Sequence, residues 1–366
     1  MDDGSPVATA GDAIAAAIAG EQGAAAVAGA PATTAEQGAP KVVYLAGLGR
    51  SGSTLIERLV GELPGACAIG EVVHLWHRGL VHNERCGCGL QFAECDFWRQ
   101  VGDAGFGGWA RVDPIAIARL RAEVDRNRFV PLLAGPALPS GFRRTLDEYV
   151  DYYRRLYTAV GEVTGCDAVV DSSKHPSLAF CLGRAAGLDV RVIHVVRDSR
   201  AVAYSWATRV ARPDALTKSY MRQLRPSSSA TQWASLNAVM HLLERTDTPM
   251  LRVRYEDVVR EPAAALREIS SFAALDLDER ALDFLGEDAA GYWAKFRPAH
   301  TVSGHRVRFS SGRIAIHKDE RWRSAMPVAQ RRLVTAATLP LLARYGYVSV
   351  TDRGLAGAAS ESLDRA

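Results

Sequence analysis

Residues 41–54 read Lys41-Val-Val-Tyr-Leu-Ala-Gly47-Leu-Gly-Arg50-Ser-Gly-Ser-Thr54, and their order decides the fold. An apolar run that stops at a cluster of glycines is a buried strand entering a tight turn. Beyond Thr54, Leu55, Leu59 and Leu63 recur at i, i+4 and i+8, the period of a helix with one buried face. Strand, glycine-rich turn and helix start form an anion cradle, because successive backbone N–H groups and the positive helix end converge on one point. The spacing Gly47-xxxx-Gly52-x-Thr54 copies that of a nucleotide-triphosphate loop with one departure. Ser53 stands where such a loop has its Lys, and the cation Arg50 lies three positions earlier. A triphosphate site needs that Lys on the β- and γ-phosphates and a Mg²⁺ held by Ser or Thr. A donor with less charge at its reactive end can be held by Arg50 and the backbone.

Further strand-like runs occur at 66–69, 168–170, 190–196 and 250–253, and helix-period segments follow several of them, at 176–186, 199–209 and 262–274. Alternation of this kind predicts an α/β fold of the P-loop type: three layers with a central parallel sheet covered on both faces. Residues 72–165 lack a strand signal and contain a helix predicted over 143–164, with Leu146, Tyr149, Val150, Tyr153 and Tyr157 on one broad face. This stretch reads as a helical insertion and as the side where an acceptor binds. Its aromatic residues, such as Trp76, Phe92, Trp98 and Tyr152, supply core and pocket lining. Residues 1–40 are Ala- and Gly-rich and are expected to be a disordered leader. The folded domain is expected over 41–350, closed by a helix over 328–345, with a flexible tail over 351–366.

The chain has 366 residues, with 44 Lys plus Arg against 41 Asp plus Glu, so its net charge of +3 excludes a polybasic nucleic-acid binder. No apolar run approaches the roughly 18 residues of a membrane span. The first forty residues hold no Lys, Arg, His or aromatic residue, so the basic start of a secretory signal is missing and cytoplasmic residence is expected. Six cysteines in so long a chain are too sparse for a disulfide scaffold, and reduced thiols are the expectation.

Arg50-Ser51-Gly52-Ser53-Thr54 resembles the loop with which sulfotransferases that use 3′-phosphoadenosine 5′-phosphosulfate (PAPS) bind the 5′-phosphosulfate, most closely in the bacterial and tyrosylprotein-type branch. Val192-Ile-His-Val-Val-Arg197 followed by Asp198-Ser-Arg-Ala-Val-Ala-Tyr-Ser205 is similar to the strand and helix that hold the 3′-phosphate, with Arg197 and Ser205 as its ligands. Arg197 ends a strand, where open α/β sheets bind ligands. Val169-Val-Asp171-Ser172-Ser173-Lys174 looks like the segment that places a cation near the transferring group. Arg252-Val-Arg-Tyr255-Glu256-Asp257 resembles a strand end late in the fold, and Ser303-Gly-His-Arg-Val-Arg308 the loop that closes over the nucleotide. The resemblance runs over about 41–323. It implies PAPS-dependent sulfation of a hydroxyl on a small-molecule, carbohydrate or lipid acceptor, with adenosine 3′,5′-bisphosphate as the second product and no metal in the reaction.

Sulfuryl transfer needs cations around the leaving oxygen and a base for the acceptor proton. Arg50 and Lys174, with the N–H groups of residues 51–54, are the candidates for the first. For the base, the Gly70-Glu71 pair matches the position where tyrosylprotein-type relatives carry their catalytic Glu, and His74 and His77 are alternatives nearby. An apolar run ending in Asp171 also looks like a Walker-type Mg²⁺ ligand. That keeps open a Mg-ATP-dependent small-molecule kinase, and a non-catalytic nucleotide-binding module is a third reading. Cys86-Gly-Cys88 with Cys95 admits zinc completed by His77 or His82, a Cys–Cys bridge, or a small-residue turn with buried thiols; the last two are the expectation.

Overall fold

The computed structural model describes residues 40–348, apart from Pro213, Thr217, Lys218 and Glu279. The expected tail over 351–366, and the expected leader up to Ala39, lie outside the described residues. The chain runs through β1 (Lys41–Ala46), α1 (Ser53–Val60) and β2 (Ala66–Gly70) into a strand-free stretch carrying α2 (Asp96–Phe106), α3 (Pro114–Val124), α4 (Val130–Leu133) and α5 (Ser140–Thr164). It continues through β3 (Ala168–Lys174), α6 (Pro176–Gly183), β4 (Asp189–Val196), α7 (Ser199–Ala207), α8 (Pro226–Leu243) and β5 (Met250–Arg254). The last third holds α9 (Tyr255–Arg260), α10 (Pro262–Ala273), β6 (Leu285–Asp288), β7 (Gly291–Phe296), β8 (Gly312–Ala315), α11 (Trp322–Ala325) and α12 (Val328–Arg344).

The first five strands form one parallel sheet in the order β2-β3-β1-β4-β5. Side chains alternate across a strand, and β1 divides its apolar residues accordingly. Val42, Tyr44 and Ala46 face a cluster with Leu146, Tyr149, Tyr153 and Tyr157 of α5 and with α6. Val43 and Leu45 face the other, with Ile56, Leu59 and Val60 of α1 and Leu266 and Ile269 of α10. Burial on both faces is why β1 reads as a continuous apolar run.

The expected strands, the helical insertion and the closing helix are present. Two helices stop short of their expected ends: α6 ends at Gly183, and α7 ends at Ala207, where Thr208 turns to extended backbone. The antiparallel sheet β6-β7-β8 was not expected. Ala294 and Phe296 of β7 alternate into the α1-side core. Buried Arg58 of α1 holds the same region by donating to the carbonyls of Arg297 at 2.6 Å, Arg308 at 2.8 Å and Ser310 at 3.2 Å.

The strand order matters for the site. β1 connects outward to β2, whereas β4 continues to β5 on the other side, so the carboxyl ends of β1 and β4 flank a switch point where such sheets bind ligands. Across that edge runs a strap, residues 300–305. Glu71 N–H donates to the Val302 carbonyl at 2.7 Å and Val302 N–H to that of Ile69 at 2.9 Å. Gly70, at φ 87°, permits this approach, since a Cβ there would run into the Val302 backbone. Among the described residues no helix is long and apolar enough to cross a membrane.

Candidate active site

Four strand ends deliver side chains to one edge. The turn after β1 leads into α1 through Gly52, in left-handed conformation at φ 89° beneath the Tyr255 ring. Glu71 follows β2, Lys174 ends β3, and Arg197 follows β4. Lys174 Nζ is ion-paired with Glu71 Oε1, both side chains largely buried. His74 Nε2 lies 3.7 Å from Glu71 Oε2. Burial pushes the His74 imidazole well below its ordinary value, with Arg78 adding to the effect, so it is neutral. A Cβ on Gly304 of the strap would stand 3.2 Å from Glu71 Oε1 and 3.7 Å from Thr54 Oγ1. The carboxylate and the helix start therefore share one small space.

Arg50 stacks its guanidinium over the Trp206 ring at 5.3 Å, and Trp206 Nε1 donates to the Gly49 carbonyl at 3.0 Å. Thus α7, which carries half-buried Ser205, is tied to the turn. Burial lowers the pKa of Arg50 and the charge of Glu71 opposes the shift, a sign that the two lie within electrostatic reach. Arg197 is buried, lies over the Tyr255 ring at 4.6 Å, and donates through Nη1 to the Arg50 carbonyl at 3.1 Å. Its Nη2 is 3.9 Å from Asp319, while its Nε has no partner among the described residues. A cavity of about 380 Å³ opens beside Arg197, lined by Arg200, Arg254, Tyr255 and Arg323 among others. Its other cations are already engaged, Arg200 with Asp198 at 2.7 Å and Arg323 with Glu320 at 2.9 Å.

Backbone conformation singles out the same residues. Among the described residues, five non-glycine positions have positive φ, and three of them are Arg50 at 75°, Lys174 at 70° and Ser303 at 57°. Such backbone costs about 1–2 kcal/mol per residue and tends to be retained where function needs a side chain in an awkward place.

Other expected residues are placed differently. Arg308 points inward, almost fully buried, and donates to the carbonyls of Thr301 and Arg85. It braces the strap and is not free to hold a nucleotide. Ser303 lies in the strap, but its hydroxyl accepts from Arg78 at 2.6 Å. His77 packs edge-to-face on His82 at 4.2 Å, with no link to Glu71. Asp171 points into the core, where Tyr157 Oη donates to it at 2.7 Å and Ser173 N–H and Oγ at 2.7 and 2.5 Å. Three donors engage it there and the residue is fully buried, which counts against the Mg²⁺-ligand reading of that residue.

Two residues escaped the sequence reading. His305 of the strap is neutral, pushed down to about 4 by burial and then by Arg50. Glu57 of α1 is buried and accepts from Gly70 N–H at 2.6 Å and from Ser172 Oγ at 2.7 Å. It lies one residue from Arg58, and no amphipathic pattern marks either as internal. Burial pushes the Glu57 carboxyl from 4.5 up to about 7, against the hydrogen bonds and Lys174. The folded state therefore holds this proton more tightly than the unfolded chain does. Its contribution is complete below pH 4.5 and is lost as pH rises through about 7. Glu57→Gln can still accept from Gly70 N–H and can donate its amide to Ser172 Oγ, reversing that bond, and it does not titrate. Its unfolding free energy, measured by denaturant titration, should gain on wild type by on the order of 3 kcal/mol between those limits. A difference independent of pH would remove the raised carboxyl.

The model of the sulfotransferase family matches residues 41–279, well over half of the chain. The chain belongs to the sulfotransferase family. The matched part includes the turn, Glu71, Lys174 and Arg197, whereas the strap lies beyond it. Carbohydrate sulfotransferase 3 of Homo sapiens is 28% identical over 178 residues, which is 45% of this chain and 35% of that protein. Its Mus musculus counterpart is 28% identical over 177 residues with the same shares. The match thus takes in about a third of the length of these curated relatives. Similar solved structures include the sulfotransferase domain of the Synechococcus olefin synthase, with 19% identity, TM-score 0.38, and coverage of 83% of this chain and 97% of that one. The sulfotransferase domain of the curacin biosynthetic pathway has 12% identity and TM-score 0.41, over 82% and 98%.

Proposed function

We propose that this family member transfers the sulfuryl group of PAPS to a hydroxyl by in-line displacement. The observation that carries the reading is the Glu71–Lys174 ion pair beside Thr54 of the anion-binding turn. It puts a proton acceptor and a cation next to the place where a phosphosulfate would sit. Arg50 and the N–H groups of residues 51–54 hold the 5′-phosphosulfate, and Arg197 with Ser205 takes the 3′-phosphate. The arriving donor draws Lys174 from Glu71 toward the bridging oxygen, which frees the carboxylate. The acceptor oxygen then bonds to sulfur and its proton passes to Glu71. The bond from sulfur to the bridging oxygen breaks, and its electron pair leaves on the 5′-phosphate. The products are a sulfate ester and adenosine 3′,5′-bisphosphate, and the step needs no metal. The acceptor is a small molecule, carbohydrate or lipid, and the names of the curated relatives put sugar hydroxyls first in a screen.

Calorimetric titration with adenosine 3′,5′-bisphosphate, run against ATP with and without Mg²⁺, tests the donor. The bisphosphate should bind without metal and ahead of ATP, and Arg197→Ala should weaken it by about 30-fold or more, as for a charge-assisted contact of 2 kcal/mol or above. Tighter binding of Mg-ATP, or a silent Arg197→Ala, would favour the kinase.

A further inference from the structure

Away from this site, the fold brings together Cys86, Cys88, Cys95 and His300, the last separated from Cys95 by 205 positions. Each offers one ligand atom, and all four atoms lie within 4.8 Å of one another. We propose that these residues bind a structural zinc ion that fastens the Cys86–Cys95 turn to the strap over the active site.

The distances favour a shared centre over a sulfur pair. Ligands about 2.3 Å from a tetrahedral zinc stand about 3.8 Å apart. Cys95 Sγ is 3.7 Å from Cys86 Sγ and 3.8 Å from Cys88 Sγ. His300 Nδ1 is 3.2 Å from Cys95 Sγ and 3.9 Å from Cys86 Sγ. Cys95 is nearly equidistant from two sulfurs, whereas a disulfide would select one and bring it to about 2.05 Å. Burial supports a closed, structural site, since Cys86 and Cys95 are inaccessible and Cys88 and His300 half-buried.

The surroundings orient both halves. The His300 ring stacks on Phe97 at 4.9 Å with planes 17° apart. Gly87 N–H donates to the Thr301 carbonyl at 2.9 Å, and Cys86 N–H to that of Leu90 at 2.8 Å. Arg308 grips the carbonyls of Arg85 and Thr301, the neighbours of Cys86 and His300. On binding, the three thiols release their protons to solvent, the imidazole stays neutral, and no electron moves. The resulting site carries one net negative charge, with the buried Arg308 guanidinium as its counter-charge. Neither His77 nor His82 completes the set. The inference is independent of the sulfuryl-transfer reading.

The full chain, purified under reducing conditions without chelator, should contain about one zinc per chain by plasma mass spectrometry. Co²⁺ added to metal-free protein should give tetrahedral ligand-field bands and thiolate-to-cobalt charge transfer. Cys95→Ser should lower zinc affinity by at least tenfold, on the order expected even for the loss of a supporting partner. His300→Ala should do likewise, while His300→Cys retains the metal, so the test survives if Cys95→Ser fails to fold. Absence of zinc together with absence of the Co²⁺ spectrum in wild type overturns the proposal. So does a Cys86–Cys95 or Cys88–Cys95 disulfide found after thiols are trapped in reducing lysate.

Discussion

Glu71→Gln lowers turnover with PAPS by about 10²–10⁴-fold, the range of a lost general base, and leaves the affinity for adenosine 3′,5′-bisphosphate within a few-fold of wild type. The substitution keeps the shape of the side chain beside Thr54 and Gly304 and removes its charge, and with it both the ion pair to Lys174 and the capacity to take a proton. The split between rate and binding is the informative part. A general structural defect would lower both, because Glu71 N–H also anchors the strap through Val302, and that backbone bond persists in the variant. Should turnover fall little, neutral His74, 3.7 Å from the other carboxylate oxygen, is the base in its place, and the double variant with His74→Asn shows the missing loss. Turnover unaffected in both would leave a nucleotide-binding module.

Lys174→Ala is the second large effect, with kcat reduced by about 10²–10³-fold as for removal of one group that stabilises developing charge. A comparison with Lys174→Gly separates chemistry from folding. Lys174 sits at φ 70°, and glycine relieves about 1–2 kcal/mol of left-handed backbone. That variant should melt above Lys174→Ala while losing the same rate. Because Glu71 and Lys174 are paired with each other, the combined Glu71→Gln and Lys174→Ala loss should be smaller than the product of the two. Independent losses would mean that the two side chains do not act on the same step.

The layout of the sheet was readable because each strand is bounded locally. Val42 to Ala46 form an apolar run closed by Gly47, and several of the later strands are followed by helices of the right period. The second sheet was not readable. β7 alternates Tyr292, Ala294 and Phe296 inward, but it lies in a segment rich in Gly, Ser, His and Arg, and β6 and β8 have four residues each. Arg50 could be singled out from the glycine-rich turn, Arg197 from its place at a strand end, where such folds bind ligands, and Lys174 from the resemblance of its segment to the family's. The positive φ of Arg50 and Lys174 and the mutual pairing of Lys174 and Glu71 depend on neighbours that only the fold supplies. Arg308 shows the limit of motif reading, for its loop reaches the site while its guanidinium turns inward to carbonyls. His300 shows it again, since its partners lie more than two hundred positions away and His77 and His82 are far nearer in sequence.

The most direct measurement is single-turnover incubation of the full chain with PAPS carrying labelled sulfur and a panel of hydroxyl acceptors, followed by mass spectrometry, for wild type and Glu71→Gln. The account predicts a sulfate ester and equimolar adenosine 3′,5′-bisphosphate from wild type without added metal, and neither above background from the variant on the same time scale. A phosphorylated acceptor formed only with ATP and Mg²⁺, or sulfate transfer at equal rates from both proteins, would contradict it.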